Sequence, residues 1–419
     1  MTARSLGPLA LAAVLGACNV APSAHDGCHA DLHAEDGCPA AALVVTSDFV
    51  STQVALTRLD GKTLCGSYVS TARAETTSVD FALSGDIVLP SSRPPSGRAV
   101  LIDRYGTNVV SLLEPSSGKI LGQLAIGTGF ESNPQDYLEI DERLALVSRW
   151  GQNPAPGHEA FDAGSDVLVI DTRALRIEGR IALPVQDELP PRPAGLVRVG
   201  DEAVVTLQRA STDIRRMGDG MLVGIELATR RVTWTLTLSG LENCGPLALA
   251  PDGAVGAVAC TGFIDRTGAG SHSEASAIVV LDLTTTPPAE LRRLPAASIA
   301  GGLLQNNLEF YASRRVLAKT QTALDGAANN RVLAVNLEAE DANAAESLLE
   351  ARPSEDGAGQ GVVFGGMLCS PGCGDVCLVA DADRRVLERW TIDGETLVPS
   401  GALALTGTVG LPPRDLGGL

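Results

Sequence analysis

Residues 166–184 read DVLVIDTRALRIEGRIALP. An apolar run that ends on Asp171 gives way to a polar turn, then to an alternating segment that stops at Pro184. The same shape recurs as TQVALTRLDGKT from Thr52, TNVVSLLEPSSGKILGQLAIG from Thr107 and GMLVGIELATRRVTWTLTL from Gly220. Three further copies are SAIVVLDLTTT from Ser276, RVLAVNLEAED from Arg331 and RVLERWTIDGET from Arg385. Each can be anchored on the polar residue after its apolar run: Asp60, Glu114, Asp171, Glu226, Asp282, Asn336 and Asp393. The copies then stand 54, 57, 55, 56, 54 and 57 residues apart. Seven copies at so even a period imply a closed repeat array.

Each unit has room for four short strands. In the third they are QDYLEI (strand a), RLALVSRW (b), DVLVIDT (c) and RIEGRIALP (d). The first strands are nearly continuous apolar runs, as expected when neighbours cover both faces. The last alternates through Ile177, Gly179, Ile181 and Leu183, as a half-exposed outer strand should. A four-stranded sheet repeated radially buries faces that no single sheet could bury, so the expected fold is all-β, a seven-bladed propeller. The alternation, with 45 Gly and 24 Pro, excludes a helical solenoid.

The copies at 107–127 and 166–184 resemble the YVTN-type repeat of bacterial seven-bladed propellers, a group with lactonase-like relatives. The resemblance spans residues 41–419 and implies a fold more than an activity. WD40 repeats differ, with a period of about 40–45 residues and a Trp-Asp signature. The first unit begins at its b strand, ALVVTSDF from Ala42. The chain ends in TGTVGLPPRDLGGL, where a further a strand is due. The C-terminal segment is therefore expected to complete blade one and close the ring.

Hydrophobic residues make up 45% of the 419, but aromatics only 3%, so the core must be built from Val, Leu, Ile and Ala. The formal charge of −18 repels phosphate backbones and argues against nucleic-acid binding. Residues 1–18 read as a targeting segment: Arg4 precedes an apolar stretch, Leu6 to Leu15, too short to span a bilayer. Leu15-Gly16-Ala17-Cys18 resembles a bacterial lipobox, which implies acylation at Cys18 and attachment to the membrane through lipid alone. An ordinary secretory signal with a chance cysteine is the alternative. Asn19 after the cysteine favours the outer membrane, with the protein facing the periplasm or the cell surface.

Residues 19–40 read as a flexible tether holding Cys28, Cys38, His25, His29 and His33. The three histidines are spaced i, i+4, i+8, and with Cys28 could ligate a metal on a helix. A linker with a disulfide is the plainer reading, since the Asp-Gly pairs oppose a helix. Eight cysteines besides Cys18 suit disulfides in an exported protein. Cys244 and Cys260 lie symmetrically about Asp252, and Cys369 and Cys377 about Cys373, so each pair should face across an a–b hairpin. Cys28, Cys38, Cys65 and Cys373 allow three connectivities. The Cys369, Cys373, Cys377 spacing could alternatively serve a metal.

No catalytic or cofactor signature is present: no G-x-S-x-G, H-E-x-x-H, Walker loop or C-x-x-C-H. GAGQG from Gly357 lacks a strand–helix context, and Asp381-Ala382-Asp383 is continued by strand residues where a calcium loop needs ligands. Blades three to six, however, carry long b–c insertions, from Gly151, Arg209, Gly262 and Thr322. Such loops share one rim of the ring and point to a protein or small-molecule ligand met there. The candidates are Trp150, His158, Asp162, Arg215, Arg216, Asp265, Arg266 and His272. Adjacent Arg215 and Arg216 suit a carboxylate or phosphate, though Asp213 and Asp219 could neutralise them. His158 and His272 could titrate near neutral pH or share a metal. Trp150 could stack on a ligand or form its loop's core. The leading expectation is a binding or scaffold module; the alternatives are a lactonase-like hydrolase and a metal-handling or redox-associated protein. Mass spectrometry of membrane-extracted protein should find a lipid-modified N-terminal Cys18, and Cys18→Ala should release the protein in soluble form. An unmodified N-terminus within residues 20–30 would sink the lipoprotein reading.

Overall fold

The computed structural model describes residues 32, 38–71, 81–263, 273–321, 330–339, 344–351 and 363–419. These form seven four-stranded antiparallel sheets, each ordered a-b-c-d from the axis outward. Blade three runs Pro134–Glu139, Leu144–Gln152, Gly164–Asp171 and Arg176–Ile181. Blade one combines Ala42–Ser47, Thr52–Thr57 and Thr63–Ser70 with the C-terminal Pro413–Gly418 as its inner strand, Ala42 pairing with Gly418. The ring is thus closed by the last strand, and the open edge of Ala42–Ser47 is removed.

Burial follows the strand order that the sequence implies. Ala42–Ser47, Gly164–Asp171 and Val255–Cys260 are buried at every position, whereas the outer Arg231–Leu238 alternates between exposed and half-buried. Seven separate apolar clusters occur, one at each junction of neighbouring blades. Leu146, Val169, Val205 and Val223 fill the junction of blades three and four; Val44, Ala55, Leu378 and Leu416 fill that of seven and one. Each such aliphatic side chain contributes about 1.5–3 kcal/mol by leaving water, so stability resides between blades more than within them. Small residues let the inner strands crowd at the axis: a Cβ on Gly245 would lie 1.5 Å from the Asn306 carbonyl oxygen. Among the described residues no helix is long and apolar enough to cross a membrane.

Cys244–Cys260 and Cys369–Cys377 are bonded across their a–b hairpins as the symmetry predicts. Cys38 is bonded to Cys373, 335 residues away, so the middle cysteine of the 369–377 group serves neither neighbour. Cys65 is disulfide-bonded as well. The proposed metal ligands His25, Cys28, His29 and His33, like Cys18, lie outside the described residues, as does GAGQG. Cys38 precedes blade one and Cys373 sits in the a–b turn of blade seven, so their bond crosses the seam that the C-terminal strand also closes. Cys373→Ser should lower the unfolding free energy by about 2–4 kcal/mol and speed amide exchange in Ala42–Ser47 and Pro413–Gly418. Unchanged exchange in those two strands would show that the bond does not hold the seam.

Candidate functional site

All b–c and d–a connections emerge on one rim, here the upper one, and all a–b and c–d turns on the other. The upper b–c connections are short in blades one, two and seven (48–51, 104–108, 382–385). They are longer in blades three to six (153–163, 208–219, 261–276, 322–330). The loop of blade three is built on a buried ion pair. Arg149 is fully buried and donates from Nε to Asp166 at 2.8 Å, and Arg180 donates to the second Asp166 oxygen at 2.7 Å. Arg149 also donates to the carbonyl of Phe161, tying the loop to the strands beneath.

The residues singled out from sequence fall into three groups. Trp150 and Asp162 are engaged internally. Trp150 lies under the Arg192 guanidinium, 4.1 Å from ring centroid to Cζ, and its Nε1 donates to Gln208 Oε1 at 2.7 Å. Arg192 returns a hydrogen bond to the Trp150 carbonyl, and burial pulls its guanidinium down to about 10. Trp150 is therefore the core of its loop and joins blades three and four. Asp162 accepts the backbone N–H groups of Gly157, His158 and Glu159; these bonds, that of Glu159 foremost, hold its carboxyl below the usual range.

His158, Arg215 and Arg216 are exposed on the rim. The Ser211 hydroxyl accepts the N–H groups of Arg215 and Arg216, while the Asp213 carboxylate lies 3.9 Å from Arg215 Nε. Asp213 thus partly neutralises Arg215. Asp265, Arg266 and His272 lie outside the described residues, and with them the pairing of His158 and His272.

Sequence reasoning missed two features. The first is a set of exposed apolar side chains on the upper rim: Phe49 and Val50 in blade one, Tyr105 in two, Phe161 in three and Ile214 in four. Val185 and Val409 sit on neighbouring d–a connections. The other exposed large apolar residues, Leu121, Leu291 and Val398, lie on outer strands; none of the described ones is on the lower rim. Phe49, Phe161 and Ile214 adopt positive φ of 67°, 61° and 56°. The signal available in sequence was a lone bulky apolar residue inside a polar loop; the backbone conformation had none.

The second is the central channel, which encloses about 1190 Å³. Carboxylates on the inner strands bond the backbone of adjacent blades. Asp136 accepts from Ser91 N at 2.9 Å and Leu196 N at 2.8 Å, linking blades two, three and four. Asp415 accepts from Leu89 N at 2.9 Å and Glu309 from Cys369 N at 3.0 Å. Burial pushes Asp136 up to about 6 and Glu309 up to about 7, outweighing these donors; Asp415 is raised for the same reason. Lys319, only 2% exposed, is pulled down to about 8 by burial, against the opposing charge of Asp415.

No family model matches the chain, and none of the curated proteins does. Several solved structures share the architecture. A candidate 6-phosphogluconolactonase of Bacteroides uniformis superposes with a TM-score of 0.54 at 10% identity, over 90% of this chain and 99% of that one. A hypothetical selenium-binding protein of Sulfolobus tokodaii gives 0.55 at 11% identity, over 90% and 93%. Hydrazine synthase of Kuenenia stuttgartiensis gives 0.51 at 14% identity, over 77% and 81%. At such identities the likeness shows the fold alone.

The buried titrating groups of the inner strands, with Lys319, set a pH dependence of stability. Carboxyls with raised folded-state values favour the fold most when protonated. That contribution is lost as pH rises, from about 4 to 6 for Asp136 and from about 4.5 to 7 for Glu309. Each is worth roughly 2–3 kcal/mol. Lys319 acts oppositely, regaining stability as pH climbs from about 8 past 10. Denaturant midpoints should therefore be higher at about pH 5.5 than at about pH 7.5, and Glu309→Gln should flatten the upper part of that fall. A midpoint that rises between those two pH values would contradict the assignment.

Proposed function

We propose that the protein is an exported, lipid-anchored binding module that docks a partner protein on its upper rim. The observation that carries this reading is the state of Phe49, Phe161 and Ile214. Each is exposed within a b–c loop, and each holds a left-handed backbone that an L side chain enters at a cost of roughly 1–2 kcal/mol. A β-branched residue such as Ile214 is especially poorly suited to that region. Glycine would adopt the same turn without strain and without displaying apolar surface to water. Strain retained together with exposure suits side chains that are buried on a partner. Val50 and Tyr105 extend the patch across blades one and two, while His158, Arg215 and Arg216 supply a polar border, as in protein interfaces generally. The lactonase-like neighbours support the architecture; they transfer no catalytic residue to this chain.

The combined variant Phe49→Gly, Phe161→Gly, Ile214→Gly tests the reading. Its unfolding free energy should stay within about 1 kcal/mol of the parent, or exceed it. Capture of envelope proteins by the immobilised chain should meanwhile fall by about tenfold or more. A loss of several kcal/mol would make the three tips structural, and undiminished capture by the folded variant would put the interface elsewhere.

A further inference from the structure

Lys319 lies on the b strand of blade six, Arg315–Gln321, and crosses to blade seven, where Nζ donates to the Gly365 carbonyl on that blade's inner strand. Gly365 and Lys319 both line the channel. That carbonyl is the one hydrogen-bond partner of Nζ among the described residues, although an ammonium carries three donors. No carboxylate lies within ion-pair distance of it among those residues; Asp415 is its nearest acting counter-charge and is itself occupied by Leu89 N and Leu416 N. Burying a cation that far from water is costly unless a further partner is supplied.

The surroundings favour a negative one. Across the whole chain 50 acidic residues outnumber 32 basic ones. On the channel wall the order reverses, with Arg93, Arg104, Lys319 and Arg414 against Asp86, Glu309 and Asp415. Of these carboxylates, Asp86 is already paired with Arg104, its Oδ1 3.2 Å from Nε. Gln208 adds a neutral donor. Trp150 occupies its amide oxygen, which leaves the amide nitrogen as the end without a protein partner among the described residues, on the same channel wall. Narrow walls of low dielectric strengthen any charge–charge contact made inside.

We propose that the upper channel is a binding site for a small oxyanion, a carboxylate or phosphate group of a compact polar molecule, centred on the Lys319 ammonium. The site differs from the rim, with which it shares only Phe49, which lines the channel with its ring centroid 5.0 Å from Arg414 Cζ: the channel needs a small molecule, the rim a protein. An anion would complete the hydrogen bonding of Nζ and neutralise its charge. The titratable groups on the walls around Lys319 act in one direction. Deprotonation of Glu309, of Asp415 and of Lys319 itself each makes the site less attractive to an anion, so affinity falls as pH rises. Asp86 is paired with Arg104.

The test uses the full chain and two probes, citrate and inorganic phosphate, titrated calorimetrically at millimolar concentration with ionic strength held constant by chloride. One saturable site per chain is expected for at least one probe, and the probe that binds distinguishes carboxylate from phosphate chemistry. Lys319→Met should weaken it by about tenfold or more, and Lys319→Arg should retain it. In the wild-type chain the affinity should drop about tenfold between pH 7.5 and 9.5 as the ammonium is lost. Absence of saturable binding by either probe overturns the proposal. So does equal binding by a folded Lys319→Met chain. Should that variant fail to fold, a flat wild-type affinity across the same pH interval overturns it alone. A Phe161→Gly, Ile214→Gly variant, altered at two rim residues that do not line the channel, should bind both anions as the parent does, which separates failure here from failure of the rim reading.

Discussion

The inner edge of each blade sets the terms for everything else. A strand bonded to one neighbour only leaves N–H groups facing the axis, and seven such edges meet around one channel. Two inner strands, Ile87–Val88 and Ala248–Leu249, keep only two residues in ladder pairing. The fold answers with acids. Asp136 and Asp415 accept from the edges that flank them, and Glu309 does the same across the junction of blades six and seven. A charged acceptor makes a stronger bond to an amide than a neutral one, but it must be buried to do so. The apolar clusters between blades supply most of the stabilisation; the acids fix how the inner strands sit against one another.

That solution gives the channel its character. Glu309 and Asp415, whose carboxyls burial raises, share the channel wall with a lysine whose ammonium burial disfavours. A wall of Val and Leu would have closed the axis and bonded none of these edge amides. The structural need for buried acceptors and the chemical reactivity of the channel are two consequences of one geometry.

How much of this the sequence shows depends on the range of the interaction involved. Strand order, seven-fold repetition and closure by the last strand follow from alternation and period, because those patterns express local burial. Cys244–Cys260 and Cys369–Cys377 are legible for the same reason, being paired within one hairpin. Cys38–Cys373 is not, since its ends meet only after the ring has closed. Asp136, Glu309 and Asp415 are visible as acids within the inner strands, but their partners are backbone amides of other blades and leave no trace in composition. The shared rim of the b–c loops follows from antiparallel strand order, and the longer loops of blades three to six from residue counts. Which of their residues face outward was not legible: Trp150 and Asp162 have the chemistry of ligand contacts and serve instead to hold their loops, while Phe49 and Ile214 look like loop filler and stand in water.

The position of Cys38 adds an orientation to this account. Its bond to Cys373 places the chain's entry into the propeller on the lower rim, among the a–b turns, and Arg93 on the same rim donates to the Cys38 carbonyl. The exposed apolar tips are on the opposite rim. For a chain held to a surface through residues that precede Cys38, the disulfide thus turns the lower rim toward that surface and the upper rim away from it. Tension on the tether would be borne at blade seven and at the seam with blade one, where a covalent bond and a closing strand act in parallel. The loops of blades three and four, held by the Arg149–Asp166 pair and by Trp150, lie across the ring from that load. On the proposed reading, the docking rim is thereby separated mechanically from the point of attachment.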